Sequence, residues 1–186
     1  MKFSFFKIFP FVLALLASFS AGAQELAVST NFLDYANFAT LNLEVDGGLT
    51  RHLSVGAAVK YNPFTFGQGE NAILQRQQTY SAGARWWPWH IFSGWWLGAG
   101  ARYQEFNTGG ISSRRTSQGD RYGGTLSAGY SYMLSKHFNL DFGLGIWGGY
   151  EVYTTYECQH CGSVVDDGEK YFILPSDMIV SLTYIF

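Results

Sequence analysis

Charged side chains are scarce in this chain, at 14% of 186 residues, and their net charge is only −2. That excludes the basic surface by which proteins hold nucleic acid. Cysteine is scarcer still, with two in the whole chain, Cys158 and Cys161. A small secreted domain stapled by disulfides would need more. Beyond residue 23 no stretch suits a membrane-spanning helix. The longest run without charge there, 86–101, contains Pro88, Ser93, Gly94, Gly98 and Gly100. A helix that crosses a bilayer needs about 20 consecutive apolar residues. Periodicity of 3.6 residues is also missing over any useful length, which excludes a helical bundle.

What the chain has instead is aromatic residues, at 18%, many glycines, and apolar residues on alternate positions. Period two places one set of side chains on each face of a strand. Eight such segments can be read: 26–32, 41–49, 53–62, 79–86, 97–104, 125–134, 139–157 and a last one ending at 186. In the sixth, Leu126, Ala128, Tyr130, Tyr132 and Leu134 alternate with Thr125, Ser127, Gly129 and Ser131. The second face of most segments is Gly, Ser and Thr rather than the Lys and Glu of a solvated sheet. Apolar-out, small-or-polar-in is the transmembrane barrel pattern, and a membrane requires that the sheet close. The expected fold is therefore all-β, an eight-stranded antiparallel transmembrane β-barrel.

The connections fix its orientation. Short ones, 50–52, 88–93 and 135–137, alternate with long ones, 63–76, 107–120 and 158–169. Short periplasmic turns and longer external loops are expected of such barrels. Trp86, Trp87, Trp89, Trp95 and Trp96 then form an aromatic belt at the periplasmic interface. The seventh strand, at 139–157, exceeds the roughly 9–11 residues that span a membrane. Its excess, with Tyr171, Phe172 and Ile173, should protrude as a hairpin able to pair with a partner strand.

Both ends agree with export. Lys2 and Lys7, the apolar stretch 8–19 and Ala21-Gly22-Ala23 read as a signal peptide over 1–23, leaving one domain over 24–186. Met178, Val180, Leu182, Tyr184 and Phe186 form an apolar row up to the last residue. That row, with Tyr184 and Phe186, resembles the sorting signal that bacterial outer-membrane barrels present to the barrel-assembly machinery. The expected location is the bacterial outer membrane.

Four elements carry a family resemblance: Tyr61-Asn62-Pro63-Phe64, Arg102-Tyr103 with Gly109-Gly110, Lys136-His137-Phe138-Asn139-Leu140, and Tyr156-Glu157-Cys158-Gln159-His160-Cys161-Gly162. Together they resemble a Bacteroidetes family catalogued as a domain of unknown function (number 3575) and grouped with outer-membrane β-barrels. The resemblance implies a barrel and an outer-membrane address. It implies no activity, substrate or catalytic residue. One departure is Leu174-Pro175, where the family pattern has Gly-Pro.

Three constellations bear on chemistry. Cys158 and Cys161 flank His160, and three readings compete: a local disulfide, half of a divalent metal site, and a redox pair. No other cofactor is expected. Glu44, Asp46, Lys60, Arg85, Arg102, Asp141, Glu151 and Asp177 fall on inward positions. A barrel of this size is just wide enough for its own side chains, so they are read as an ion-pair network plugging the lumen, with a narrow conduit as the sharper reading. A hydrolase would need a Ser-His-acid set at the outer leaflet, yet His52, His90 and His137 sit in the opposite turns. The expected function is a structural or interaction barrel that contacts membrane lipid and an external or surface protein. The alternatives are a small barrel enzyme acting on outer-leaflet lipid and a narrow solute channel.

Overall fold

The computed structural model describes residues 25–67, 72–110, 114–158 and 162–186, with the backbone alone at 176 and 177. The elements are β1 (Leu26–Asn31), α1 (Phe32–Ala36), β2 (Leu41–Thr50), β3 (Leu53–Asn62), β4 (Thr65–Phe66), β5 (Ile73–Trp86), β6 (Gly94–Gly109), β7 (Thr116–Met133), β8 (Phe138–Tyr156) and β9 (Val164–Ile185). All strand pairs are antiparallel. Neighbours in sequence pair, β1 pairs with β9, and β3 pairs with β5 past the two-residue β4. Eight strands therefore close into a ring, with β4 as a stub outside it. Closure leaves the ring no free edge where all eight strands run side by side.

The residue alternation chooses the faces. Leu97, Leu126, Leu144, Ile146 and Met178 are exposed on the outside, while Gly98, Ser127 and Ser181 line the interior. Most of the protein's exposed large side chains on the ring are apolar. The interior holds the buried acids Asp46, Asp141 and Glu151. This is the reverse of a water-soluble fold, in which polar groups face out.

Five tyrosines stand in one hydrogen-bonded register across five strands: Tyr80, Tyr103, Tyr122, Tyr150 and Tyr171. The rings of Tyr122 and Tyr150 are 5.7 Å apart, and those of Tyr150 and Tyr171 are 5.4 Å apart. A second aromatic group lies nearer the turns. Trp95 meets Tyr130 edge-on at 5.2 Å, and Phe138 meets Tyr184 at 5.0 Å. Tyr122 and Tyr130 lie on the same strand, roughly 27 Å apart along it. At a tilt of about 40° that is roughly 20 Å along the ring axis.

The strands lengthen around the ring, from 6 residues in β1 to 22 in β9. Connections at 51–52, 87–93 and 134–137 mark a turn end, and the other connections mark a loop end. Several sequence expectations are corrected here. The segment 107–120 is mostly strand, with Gly109 pairing Thr116, rather than a long loop. Gln75 to Gln78 likewise belong to β5, and 164–169, expected within the last long loop, belong to β9. The first segment stops at Asn31, because Phe32–Ala36 forms a single helical turn whose Leu33 N–H is capped by the Asn31 side chain at 3.2 Å. The Asn side chain supplies the acceptor that a helix start otherwise lacks.

β9 contains an irregularity that the alternation missed. Gly145 pairs Asp177 while Ile146 pairs Pro175, so one extra residue intervenes. A bulge of one residue reverses which face successive side chains occupy. Below it Ser181 and Thr183 are buried, and above it Phe172 is. Pro175, which has no N–H to give a ladder, sits at this break.

Candidate functional site

The ring is floored at its turn end. The 87–93 connection, expected as a plain turn, folds into the lumen and buries Trp87, Ile91 and Phe92 against Trp96 and Ala27. Trp87 meets Phe92 at 5.7 Å and Trp96 at 6.3 Å. Polar anchors hold the floor: the Trp87 indole N–H donates to Ser54 Oγ at 3.0 Å, and the Ile91 N–H donates to the Arg51 carbonyl at 2.9 Å. The Asn139 amide, buried below the floor, donates to the Phe92 carbonyl. Trp87 and Trp96 are each 1% exposed, so they are core residues and not belt residues. Trp86, Trp89 and Trp95 are exposed.

Above the floor lie charges. Arg85 stacks over the Trp96 ring at 4.8 Å and donates to Glu44 at 2.6 Å and Asp46 at 3.3 Å. Asp141 accepts hydrogen bonds from Ser131 and Thr183. Lys60 pairs with Asp34 of α1 at 2.8 Å, and Arg121 pairs with Glu151 at 2.7 Å. Lys170 reaches Glu151 at 3.5 Å. Arg102 lies over the Trp147 ring at 5.4 Å. The inward charges thus form separate clusters at different heights rather than one network. The sequence reading missed Asp34 and Arg121. Arg121 falls where both strand faces are polar, and Asp34 sits in a helix the alternation did not reveal. The Asp177 side chain lies outside the described residues.

Between the charges and the loop end the lumen widens into a cup of about 530 Å³. Lys60, Gln77, Thr79, Arg102, Gln104 and Arg121 line one side. Leu33, Trp147, Leu174 and Pro175 line another. A narrower space of about 110 Å³ continues down to Arg85, sharing Asp34, Lys60 and Arg102 with the cup.

The family elements find local structural tasks. Phe38 and Ala39 adopt φ of 52° and 56°, a region that residues with a Cβ enter at a cost. Asn62, 1% exposed, holds that turn by donating to the Phe38 carbonyl at 2.9 Å and to Thr40 Oγ1 at 3.0 Å. His52 and His137 act alike. Each accepts a backbone N–H at its own carbonyl, from Trp87 and Ile185 respectively, and returns Nδ1 to the same residue's carbonyl at 3.0 Å. A carbonyl only accepts, so Nδ1 carries the proton. His90 Nδ1 contacts the Ile91 carbonyl at 3.1 Å. Among the described residues no imidazole of these three bonds a Ser or a carboxylate.

At the loop end Cys158 is disulfide-bonded. The sequence holds one other cysteine, Cys161. His160 and Cys161 lie outside the described residues, as does the segment 1–23. A sulfur in a disulfide is not a thiolate, the form that binds metal or attacks. Among the described residues no three His, Cys, Asp or Glu side chains gather as a metal site. Alkylation of the unreduced, denatured protein should label neither Cys158 nor Cys161. Cys158→Ser should expose one reactive thiol, read by mass spectrometry. Nearby, the Tyr153 hydroxyl donates to Asp166 at 3.2 Å, and this bond to a carboxylate pushes the phenol up. Lys170 sits over the Tyr153 ring at 4.5 Å. Tyr184 and Phe186 face outward, their rings 4.9 Å apart.

A family model described as a protein of unknown function (DUF3575) matches residues 9–186. No curated protein matches the chain.

Proposed function

The chain belongs to the DUF3575 family, and we propose that it is a non-conducting outer-membrane β-barrel that works through its loop end. The observation that carries this reading is the inverted ring: an apolar, aromatic-banded outside around a charged inside. Lipid is the solvent in which that outside is stable, and closure satisfies the backbone where the eight strands run side by side. The Tyr80–Tyr171 row and the Trp95, Tyr130 and Tyr184 group are the two interfacial girdles. The apolar floor of Trp87, Phe92 and Trp96 is what stops conduction. Residues 1–23 serve as the export signal.

The partner surface in this reading is the free edge of β9. β1 pairs with β9 only from Asn31↔Ser181 to Ala27↔Ile185. Among the described residues no strand pairs the outer edge of β9 from Val164 to Leu174. Val164 and Val165 on that edge, beyond the Tyr171 row, are 53% and 45% exposed. An extended segment of a surface protein adds to such an edge by backbone hydrogen bonds. Asp166, Asp167 and Glu169 keep it from pairing with its own kind.

The test is fractionation and reconstitution. The protein should float with outer-membrane vesicles, migrate faster on gels unboiled than boiled, and give no steady conductance in planar bilayers. Recovery as a water-soluble protein without detergent would end the membrane reading. Ion conductance through the unaltered protein would replace the plugged barrel with a channel.

A further inference from the structure

We propose that the cup at the loop end binds one small organic anion with an apolar body, of the aromatic or aliphatic carboxylate class. The cup's volume, about 530 Å³, falls within the roughly 300–1,000 Å³ typical of ligand pockets. It is blind, because the floor of Trp87, Phe92 and Trp96 closes the lumen beneath it. A solute that enters from the loop end leaves the same way. The inference goes beyond the membrane reading and does not depend on it, since the ring encloses the cup in any solvent.

The walls specify the chemistry. Leu33, Leu174, Pro175 and the Trp147 ring offer apolar surface. Facing the same space are three cations, Lys60, Arg102 and Arg121, which only donate hydrogen bonds, against one lining carboxylate, Asp34, which is paired with Lys60. Arg121 spends Nε on Glu151 and Nη1 on the Gln104 oxygen at 3.4 Å. Its Nη2 group makes no hydrogen bond among the described residues. Its guanidinium is held over the Phe106 ring, Cζ 4.0 Å from the ring centre, so little freedom remains to be lost on binding. Trp147, 4% exposed, adds a buried indole N–H with no hydrogen-bond partner. A buried donor left unpaired costs about 1–3 kcal/mol. A ligand rich in acceptors is therefore favoured, and a carboxylate offers two oxygens to a planar guanidinium. Gln77, Thr79 and Gln104 are already bonded to one another at 2.8 and 3.2 Å, which fixes the polar wall before any ligand arrives.

The experiment compares 4-phenylbutyrate with the neutral 4-phenylbutan-1-ol, by isothermal titration of the folded full-length protein in detergent, with empty micelles subtracted. The acid should bind saturably, one per chain, and at least tenfold more tightly than the alcohol. Arg121→Gln should weaken the acid at least tenfold and leave the alcohol unchanged. Trp147→Phe, which keeps a ring and removes the N–H, should weaken the acid a few-fold. Absence of saturable binding overturns the proposal. So does equal affinity for acid and alcohol, or an acid affinity that Arg121→Gln does not move. If Arg121→Gln fails to fold, the comparison on the unaltered protein and on Trp147→Phe decides. Flotation with membranes is read separately, so failure of the ligand and failure of the membrane location are distinguishable.

Discussion

Gly129→Ala is expected to disrupt the ring, and Gly124→Ala to leave it unchanged, although both glycines lie on β7 and differ from alanine by one carbon. A Cβ at Gly129 would stand 2.4 Å from Cζ2 of Trp96 and 2.3 Å from the Phe142 carbonyl oxygen. Trp96 is not free to withdraw. It is buried against Trp87 on one side and lies under Arg85 on the other. The carbonyl belongs to the neighbouring strand, so moving it strains the ladder. Overpacking of this kind costs about 1–3 kcal/mol and sometimes more. Nothing but the Gly100 carbonyl oxygen, at 3.8 Å, would meet a Cβ at Gly124. Gly143→Ala should fall between, since its Cβ would meet Trp96 Cζ2 at 3.0 Å and the Ala128 carbonyl at 2.9 Å. The order Gly129, Gly143, Gly124 should appear in urea midpoints followed by tryptophan fluorescence. It should also appear in the fraction that keeps its compact, unboiled gel mobility. Equal midpoints for Gly129→Ala and Gly124→Ala would mean that the indole is not seated against this strand.

The same tryptophan explains where sequence reasoning failed. In the 97–104 segment Leu97 and Ala99 alternate with Gly98 and Gly100, and period two sends Trp96 to the face opposite Leu97. Five tryptophans close together invited a single belt, and composition overrode parity. Trp87 was harder, because the 87–93 connection is irregular and no period runs through it. Strand ends were unreadable for a different reason. Gln75 to Gln78 and Thr116 to Arg121 lie near the rim, where both faces carry polar residues and alternation vanishes. Within the banded region the pattern was plain, since Leu126, Leu144 and Met178 must contrast with Ser127, Gly143 and Ser181 wherever one face is apolar. The inward positions of Glu44, Asp46, Arg85 and Asp141 followed from that contrast. Their partners did not, because a pairing across the lumen depends on stagger between strands, which period two does not encode. The bulge near Pro175 is another such case. One inserted residue reverses the face, and no single position announces it.

Arg85→Met is expected to cost about 3–5 kcal/mol, the penalty for stranding buried charges without their counter-ion. Arg85 is the cation shown bonded to both Glu44 and Asp46, at 2.6 and 3.3 Å. Asp46 is 3% exposed, and a carboxylate there has little water to fall back on. Methionine keeps much of the arginine stem and its contact with the Trp96 ring, so packing loss is small beside the electrostatic loss. Removing the acids as well tests this division. The triple variant Arg85→Met, Glu44→Gln, Asp46→Asn removes both acids bonded to the guanidinium and leaves only the nearby Asp141, which Ser131 and Thr183 hydrogen-bond. It should recover most of the stability, because removing all charged partners together is far cheaper than removing one. Asp46→Asn alone should cost less than Arg85→Met, since Glu44 still neutralises the guanidinium. Gly56 faces this cluster, where a Cβ would come 2.2 Å from Asp46 Oδ1, so the site also has no room for a bulkier neighbour to compensate. Urea denaturation of the four proteins, followed by tryptophan fluorescence, completes the cycle. If the triple variant is no more stable than Arg85→Met, the role of Arg85 is packing against Trp96 rather than neutralising the acids.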